Sequence, residues 1–277
     1  MAHGKTIEMF LVEGTADGLV TAELSNWNGK AIRIPRTEVD TCKRDDIQGV
    51  GVYFLFCKDD NGTDSVYIGE AEGILKRLRQ HLADYKSGKE QYYWNTAVCF
   101  VGSDLNKALI RYLESRIVDK TKQCGRYAVL TKATYSSTVL KESQVASMEE
   151  FLENVEVLLS ALGFRVLVPV KKATTKTRVL VCDGNNAQAR GFVSPAGFTV
   201  MASSKVSDHT AAHFTPAKHK YAALRASLET DGTISSGVFT KDYEFSAPSA
   251  ASSVVLGRSS SGSKEWKASD GTLLKDL

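Results

Sequence analysis

The chain has 277 residues, of which 43% are hydrophobic and 24% are charged, and its net charge is +3 at neutral pH. This length allows two domains of ordinary size, and the composition is typical of a soluble globular protein. No apolar stretch is long enough to span a bilayer, and the N-terminal MAHGKTIEMF lacks the hydrophobic region of a signal peptide. We therefore expect a cytoplasmic protein that does not insert into membranes.

Short strands separated by turn signals begin the chain. Residues 5–36 contain three segments with strand character, TIEMFLVEG, LVTAELSNW and KAIRIP. Asp17-Gly18 and Asn28-Gly29 are typical of the turns between such strands. We expect residues 1–46 to form a small β-module.

Two apolar runs follow, GVGVYFLFCKDD at 49–60 and SVYIGEA at 65–71, and each contains one tyrosine. Asn61-Gly62 between them predicts a β-hairpin. Tyr53 and Tyr67 either find hydrogen-bond partners within a sheet or act together in one site.

Periodicity predicts the next elements: a helix at 72–85, a strand at 92–102, a helix at 104–123 and a helix at 147–163. Ser103 or Asp104 is expected to cap the second of these helices. Ser147, with a glutamate three residues later, is expected to cap the third, and Gly163 to end it.

The composition changes after the third helix. VPVKKATTKTR at 168–178 reads as a linker, and the remaining residues are rich in Ser, Ala, Gly and Thr. We expect 179–277 to form an accessory domain whose elements include the strands RVLVC and GFTVMAS and helices at 220–229 and 246–257. Trp266, between Lys264 and Lys267, is either a nucleic-acid stacking contact or, as is more common, a core residue.

The predicted fold class is therefore α+β. Residues 47–167 are expected to contain a small mixed or antiparallel three-stranded sheet flanked by helices, between the β-module and the accessory domain. Five scattered cysteines without a CxxC pair argue against a disulfide framework and a zinc site. Cys57 and Cys99 lie in apolar runs and are expected to be buried thiols.

The charge is uneven along the chain. Residues 71–126 contain eleven Lys or Arg and six Asp or Glu, so this segment is basic although the whole chain is nearly neutral. Such a segment fits either a phosphate-binding face or ordinary solvated helix surfaces.

Two helices place charged side chains beside apolar ones. With about 100° per residue, Arg77 and His81 lie on the rim of the apolar stripe of the first helix, formed by Ile74, Leu78 and Leu82. On the second helix, Glu114 has apolar residues at i−4 and i+4, so its carboxylate needs a partner. That partner is a cation or a metal ion, with Arg111 as the ordinary candidate.

The ordered set GVY (51–53), YIG (67–69), KRLRQH (76–81) and LE (113–114) resembles the GIY-YIG nuclease family over roughly residues 48–125. The N-terminal β-module, the segment WNTAV and the C-terminal pattern beginning FTKDYEFSAPSAASSVVLG also resemble bacterial multidomain relatives, in which an uncharacterised small domain follows the nuclease domain.

The resemblance implies hydrolysis of nucleic-acid phosphodiesters, most commonly DNA, with one divalent metal ion and an activated water. Glu114 would hold Mg²⁺ or Mn²⁺, and Arg77 would contact the scissile phosphate. Tyr53 would orient or deprotonate the water, with Tyr67 in support and His81 assisting. A phenol has a pKa of about 10, so Tyr53 as a base needs nearby positive charge.

One feature of the family is missing. An asparagine often follows the glutamate helix, whereas RYAVLTKAT at 126–134 contains none, so Thr131 or Lys132 replaces it or the role is vacant. We expect a Mg²⁺-dependent endonuclease, in restriction or defence. The alternative is a non-cleaving nucleic-acid-binding or scaffold protein with the same fold.

The hairpin register provides a geometric expectation. If Asn61-Gly62 formed a two-residue turn, paired residue numbers would sum to 123, and the two phenols would lie on opposite faces of the sheet. A joint role requires an even sum, and therefore an odd-numbered loop or a β-bulge within 57–65. Both hydroxyls should then face the rim that carries Arg77 and Glu114. A single carboxylate is also a poor cage for Mg²⁺, so we expect no tightly held ion without nucleic acid.

Overall fold

The computed structural model describes residues 3–58, 64–132, 138–170 and 172–277. The chain divides into two units, Met1–Pro169 and Val170–Leu277. Each unit has its own sheet and helices, as expected for an α+β protein. In the described ranges, no helix combines the length and the apolar character needed to cross a membrane.

The first unit is built on a seven-stranded sheet with the order β1-β2-β3-β6-β4-β5-β7. Neighbouring strands are antiparallel, except that β7 runs parallel to β5. The strands are β1 (Ile7–Leu11), β2 (Val20–Leu24), β3 (Gly29–Pro35), β4 (Gly51–Lys58), β5 (Asp64–Ala71), β6 (Trp94–Gly102) and β7 (Ala128–Val129).

The N-terminal strands are not the separate module that we expected from the sequence. β3 pairs with β6 along its whole length, from Gly29 opposite Gly102 to Pro35 opposite Thr96. The sheet therefore has seven strands rather than three, and residues 1–46 extend it. The physical reason is that β6 is largely buried and needs a hydrogen-bonded strand on each side. This pairing joins segments about 70 residues apart, a distance that local sequence patterns do not report.

Three helices cover this sheet: α1 (Ile74–Lys86), α2 (Lys107–Cys124) and α3 (Glu142–Ala161). Successive side chains of β4 point to opposite faces of the sheet, and different helices pack on the two faces. Val52, Phe54 and Phe56 share a core with α2 and α3, whereas Tyr53 and Leu55 share one with α1. The two faces of β4 and β5 thus meet different helices, and each has its own apolar core.

The predicted N-terminal caps of α2 and α3 are both wrong. Asn106, rather than Ser103 or Asp104, caps α2, because its side-chain oxygen accepts hydrogen bonds from the amides of Ala108 and Leu109. The third helix begins five residues before the predicted cap.

Ser147 lies inside this third helix, where its hydroxyl donates to the carbonyl of Ser143 at 3.0 Å. A serine that precedes a glutamate by three residues fits a helix interior as well as a cap, since the hydroxyl can bond one turn back. The predicted end is confirmed, since the helix stops at Ala161 and Gly163 adopts a φ of +93°.

The second unit contains a four-stranded sheet with the order β13-β10-β9-β8 and a short pair, β11 and β12. Its elements are β8 (Leu180–Gly184), β9 (Ala187–Ser194), β10 (Gly197–Val200), α4 (Lys220–Thr230), β11 (Ile234–Ser235), β12 (Val238–Phe239), β13 (Tyr243–Phe245), α5 (Pro248–Leu256) and α6 (Gly262–Glu265). Trp266 is fully buried, and its indole N–H donates to the carbonyl of Pro248 at 3.1 Å. This tryptophan is a core residue and not a stacking contact. All five cysteines of the chain are buried and unbridged.

Removing the N-terminal strands should therefore disrupt the first unit. A chain truncated to residues 47–277 would expose the edge of β6 and would remove Ile32 and Ile34 from the core beneath α1. We expect it to be insoluble or to lose cooperative unfolding of the first unit, as measured by circular dichroism during thermal unfolding. A truncated chain that unfolds as cooperatively as the full one would show that the N-terminal strands are a dispensable module.

Candidate active site

Tyr53 and Tyr67 lie on the same face of the sheet. In the observed register, Tyr53 is opposite Gly69 and Leu55 is opposite Tyr67. These pairs sum to an even number, which confirms the register that a joint role requires. The ring centroids of the two tyrosines are 6.2 Å apart. The predicted turn at Asn61-Gly62, with the loop around it, lies outside the described residues.

Gly69, the glycine of the YIG motif, makes room for the ring of Tyr53. A Cβ added at this position would lie only 2.6 Å from Cζ of Tyr53 and would also overlap its hydroxyl. The phenol therefore lies directly over the backbone of β5. The two motifs depend on each other: the tyrosine of the first occupies the space left by the glycine of the second.

Helix α1 adds Arg77 and His81 to the two phenols. His81 is 1% exposed, and its Nε2 is 2.9 Å from the hydroxyl of Tyr53. Its ring centroid is 5.1 Å from that of Tyr67. Arg77 lies near both phenols and lines the same cleft as Tyr67 and His81. Four of the five predicted site residues thus form one cluster.

Glu90 belongs to the same cluster, although no motif in the sequence points to it. Its Oε2 is 2.5 Å from Nδ1 of His81, and the side chain is 8% exposed. The structure therefore contains a continuous chain of contacts from Glu90 through His81 to Tyr53. The signal in the sequence was Gly88, a helix-ending glycine that turns the chain back toward His81.

Burial dominates the ionisation of Tyr53. It raises the pKa of this phenol well above the ordinary value of 10, and the neighbouring Tyr67 raises it further. The charge and hydrogen bond of Arg77 act in the opposite direction. Tyr53 consequently holds its proton at neutral pH, and its hydroxyl pairs with Nε2 of His81 at 2.9 Å.

The cluster lies at an open cleft of about 670 Å³. Tyr67, Arg77 and His81 line it, together with Asp84, Lys89, Glu90, Gln91, Tyr92, Leu130, Thr131 and Lys132. Tyr53 does not line the cleft and is only 1% exposed, so its hydroxyl lies beneath the surface formed by the other three. The cleft is wide enough for a phosphodiester group with its flanking sugars.

Glu114 lies in a second polar cluster with Glu70 of β5. It is 5% exposed, and its Oε2 makes no hydrogen bond to the described residues. Burial raises its pKa to about 7, with the charge of Glu70 as the next cause, while Lys107 and Arg111 lower it. Glu70 is itself 3.0 Å from Nζ of Lys107 and 3.8 Å from Nε of Arg111.

This second cluster is on the other face of the sheet. Glu70 is opposite Val52, which faces α2, whereas Tyr67 faces α1. The expectation that the hydroxyls face a rim carrying both Arg77 and Glu114 therefore holds for Arg77 only. The two clusters approach each other along β5, where Tyr67 and Glu70 are three residues apart. The outer edge of β5 beyond Ile68 has no strand partner in the described parts of the chain.

Thr131 and Lys132 were the candidates to replace the family's asparagine. The hydroxyl of Thr131 accepts from the amide of Ile68 at 2.9 Å and donates to its carbonyl at 2.8 Å. Thr131 thus extends the pairing of β5 and is committed to the backbone. Lys132 is exposed at the mouth of the cleft and can contact an anionic substrate.

The residues around Glu114 fit a divalent cation of the Mg²⁺ type. The buried Oε2, which makes no hydrogen bond to the described residues, and the nearby carboxylate of Glu70 together give a hard oxygen site. No group of three or more His, Cys, Asp or Glu with metal-binding geometry occurs among the residues that the structure describes. The donor set therefore suits an ion that takes its other ligands from water and substrate phosphate.

Replacing Gly69 by alanine should destabilise the first unit and displace Tyr53. The added methyl group overlaps the phenol, so we expect a loss of about 1–3 kcal/mol in the free energy of unfolding, measured with urea. Gly49→Ala is the matched control, because a Cβ there meets no atom within 4 Å. Equal stability of the two variants would contradict the packing of Tyr53 over Gly69.

Replacing Glu114 by glutamine should stabilise the protein at high pH only. The pKa of Glu114 is higher in the folded chain, about 7, than its ordinary value of 4.5. The folded state therefore retains the proton between these two values, and stability falls as the pH rises through about 7. At pH 8 the glutamine variant should be more stable than the parent by roughly 2 kcal/mol, and at pH 4.5 about equal to it.

Urea unfolding at both pH values tests this prediction, and Mg²⁺ provides a second test. The ion should stabilise the parent protein at pH 8 and leave Glu114→Gln unchanged. A glutamine variant that is less stable at both pH values would show that the carboxylate has a favourable partner in the folded chain.

Comparisons with known proteins agree with this geometry. Residues 49–128 match the GIY-YIG catalytic domain, and residues 180–277 match a domain of unknown function, DUF4357. No significant match was found among curated proteins or among solved structures. The first match covers Tyr53, Tyr67, Arg77, His81 and Glu114, and the second covers most of the second unit. The chain therefore contains a GIY-YIG catalytic domain, which is followed by a DUF4357 domain of unknown function.

Proposed function

We propose that this protein is a cytoplasmic, divalent-metal-dependent endonuclease that hydrolyses phosphodiester bonds of DNA, with a role in restriction or defence. The main support is the cluster at the cleft, where Arg77 lies near two phenols and one of these phenols, Tyr53, contacts the imidazole of His81 at 2.9 Å. This set combines a fixed cation for an anionic phosphate with a path along which a proton can leave a nucleophilic water.

Arg77 binds a non-bridging oxygen of the scissile phosphate. Its guanidinium is planar and always charged, and it stands at the cleft surface with Tyr67 beside it. Tyr67 donates a hydrogen bond to the same phosphate. The exposed Lys89 and Lys132 at the cleft attract the flanking phosphates, in agreement with the basic character of residues 71–126.

Tyr53 transfers the proton of the attacking water to His81. As the water oxygen bonds to phosphorus, its proton moves to the Tyr53 oxygen and the Tyr53 proton moves to Nε2 of His81. The bond between phosphorus and the leaving ester oxygen breaks, and that oxygen takes a proton from solvent. Tyr53 never has to exist as a free phenolate, which its raised pKa would disfavour.

Glu114 holds the metal ion, with Glu70 next to it. When bound, a divalent ion supplies Lewis-acid stabilisation of the charge that develops on the phosphate. Glu114 contributes a buried carboxylate oxygen that is unpartnered among the described residues, and Lys107 neutralises part of the charge of Glu70. The outer edge of β5 beyond Ile68, which has no strand partner among the described residues, is where a phosphate would reach both clusters.

The second candidate function is nucleic-acid binding without cleavage. It is favoured by the 1% exposure of Tyr53, which separates the phenol from the cleft, and by the commitment of Thr131 to the backbone. On this hypothesis Arg77, Lys89 and Lys132 bind phosphates and the fold acts as a scaffold.

Supercoiled plasmid incubated with Mg²⁺, and separately with a chelator, distinguishes the two functions. The parent protein should nick the plasmid only with metal, and Arg77→Ala and Glu114→Gln should each lower the rate about 10²- to 10³-fold. Lys76→Ala is the matched control, since Lys76 is the exposed neighbour of Arg77 on the same helix. Plasmid binding without nicking, with Mg²⁺ or with Mn²⁺, would favour the scaffold function. Nicking that survives in Glu114→Gln would remove Glu114 as the metal ligand.

The roles of the two tyrosines can be separated by removing each hydroxyl. Tyr53→Phe interrupts the path to His81 and should lower kcat about 10²-fold or more, whereas Tyr67→Phe removes one phosphate contact and should lower it about tenfold. Single-turnover nicking rates measure both effects. A larger loss in Tyr67→Phe would assign the proton transfer to Tyr67, which lines the cleft.

A further inference from the structure

The carboxylate of Glu90 is placed against His81 and is largely withdrawn from solvent. Its side chain is 8% exposed, Oε2 is 2.5 Å from Nδ1 of His81, and Oε1 makes no hydrogen bond to the described residues. Burying a carboxylate is unfavourable unless it is hydrogen-bonded, and Oε1 of Glu90 has no such bond to the described residues. The contact with His81 is therefore the feature that explains its position.

The end of helix α1 brings Glu90 to this place. Gly88 has a φ of +74°, and its amide donates to the carbonyl of Tyr85 while the amide of Lys89 donates to the carbonyl of Asp84. This pair of hydrogen bonds is a Schellman motif, which reverses the chain over the last helical turn. The amide of Glu90 also donates to the carbonyl of Asp84. The backbone of Glu90 is therefore held against the helix close to His81, which lies three residues before Asp84.

Hydrogen bonding to Glu90 determines which nitrogen of His81 carries the proton. An ionised carboxylate only accepts hydrogen bonds, so Nδ1 must be the protonated nitrogen in the neutral ring. Nε2 then has a free lone pair, and it faces the hydroxyl of Tyr53 at 2.9 Å. With the opposite tautomer, Nε2 would donate toward Tyr53 and could not accept its proton.

We propose that Glu90 is a positioning residue that holds His81 in the Nδ1-protonated tautomer and stabilises the imidazolium formed when Nε2 takes the proton of Tyr53. The proposal rests on the proposed nuclease function, and it assigns to this chain a carboxylate–imidazole–phenol relay. The proton leaves the water, passes to the Tyr53 oxygen, and the Tyr53 proton ends on Nε2. No other species is oxidised, reduced or consumed.

Several other groups face the imidazole and share its environment. These are Tyr53 on β4, Tyr67 on β5, Arg77 and Asp84 on α1, and Lys89 and Tyr92 on the segment after α1. Burial raises the pKa of Tyr92, and the negative charge of Glu90 raises it further, so Tyr92 stays a neutral phenol near the carboxylate. Among the described residues, the hydrogen-bond partner of Nδ1 is Glu90, whose Oε2 lies at 2.5 Å.

The tautomer can be measured without any reference to cleavage. Nitrogen-15 NMR of histidine-labelled protein, with His81→Ala used to assign the signals, should show Nδ1 protonated and Nε2 unprotonated in the parent at pH 8.5. In Glu90→Gln the signals should change to a mixture of tautomers or to the opposite one. An unchanged tautomer in a folded Glu90→Gln protein would overturn the proposal, and so would a parent protein with Nε2 protonated.

Nicking kinetics provide the second test. Glu90→Gln should lower kcat by about 10²-fold or more with KM unchanged, and Glu90→Asp should restore part of the rate, since it keeps the charge on a shorter side chain. Asp119→Asn removes a carboxylate from an exposed position on α2 and should cleave like the parent. Thermal unfolding of all three variants checks that each is folded.

The two proposals fail in different ways. A parent protein that never cleaves would end the nuclease proposal, and the tautomer measurement would still test the role of Glu90 as a positioning residue. A parent protein that cleaves, beside a folded Glu90→Gln with the same kcat, would keep the nuclease and overturn the relay. A fall in affinity for DNA at constant kcat would also overturn it, because that result would assign Glu90 to substrate binding.

Discussion

The pairing of β4 with β5 in one register is the constraint on which the rest of the first unit depends. Tyr53 is opposite Gly69, and the phenol occupies the space where any other residue would place a Cβ. A shift by one residue would turn Tyr53 toward α2 and bring Val52 to the α1 face. The two phenols, the imidazole and the guanidinium are close together because this register holds, and because α1 follows β5 directly and packs back on the same face.

Two polar clusters of different character lie on the two faces of this strand pair. The cluster with Tyr53 combines a deeply buried phenol with hydrogen-bonded partners, so a proton can move along it at little electrostatic cost. The cluster with Glu114 holds two carboxylates that repel each other, and Lys107 and Arg111 reduce that repulsion. In the proposed function, the first cluster moves a proton and the second binds a cation. A phosphodiester that reached both along the edge of β5 would join the two functions.

The N-terminal strands show how the surrounding fold supports the site. β6 lies between β3 and β4, so the strand that carries Tyr53 is backed by a sheet rather than by an edge. Trp94 of β6 is fully buried and helps to form the core beneath α1. The position of His81 therefore depends on segments of the chain that contribute no polar group to the cleft. The second unit has its own sheet and core, and the described residues of that unit include no counterpart of the phenol cluster.

The sequence alone determined the order of the strands and helices around the site, the four motif residues that cluster at the cleft, and the resemblance of this region to GIY-YIG domains. It could do so because period-2 and helical periodicities are local, and because Tyr53, Tyr67, Arg77 and His81 lie on elements adjacent in the chain. Only the tertiary structure decided that β3 joins β6, that Glu114 lies on the opposite face beside Glu70, and that Glu90 contacts His81. The first of these depends on pairing between distant segments, and the second on which face of a strand each helix covers. The third depends on the left-handed turn at Gly88, whose direction in space no spacing of residues reveals.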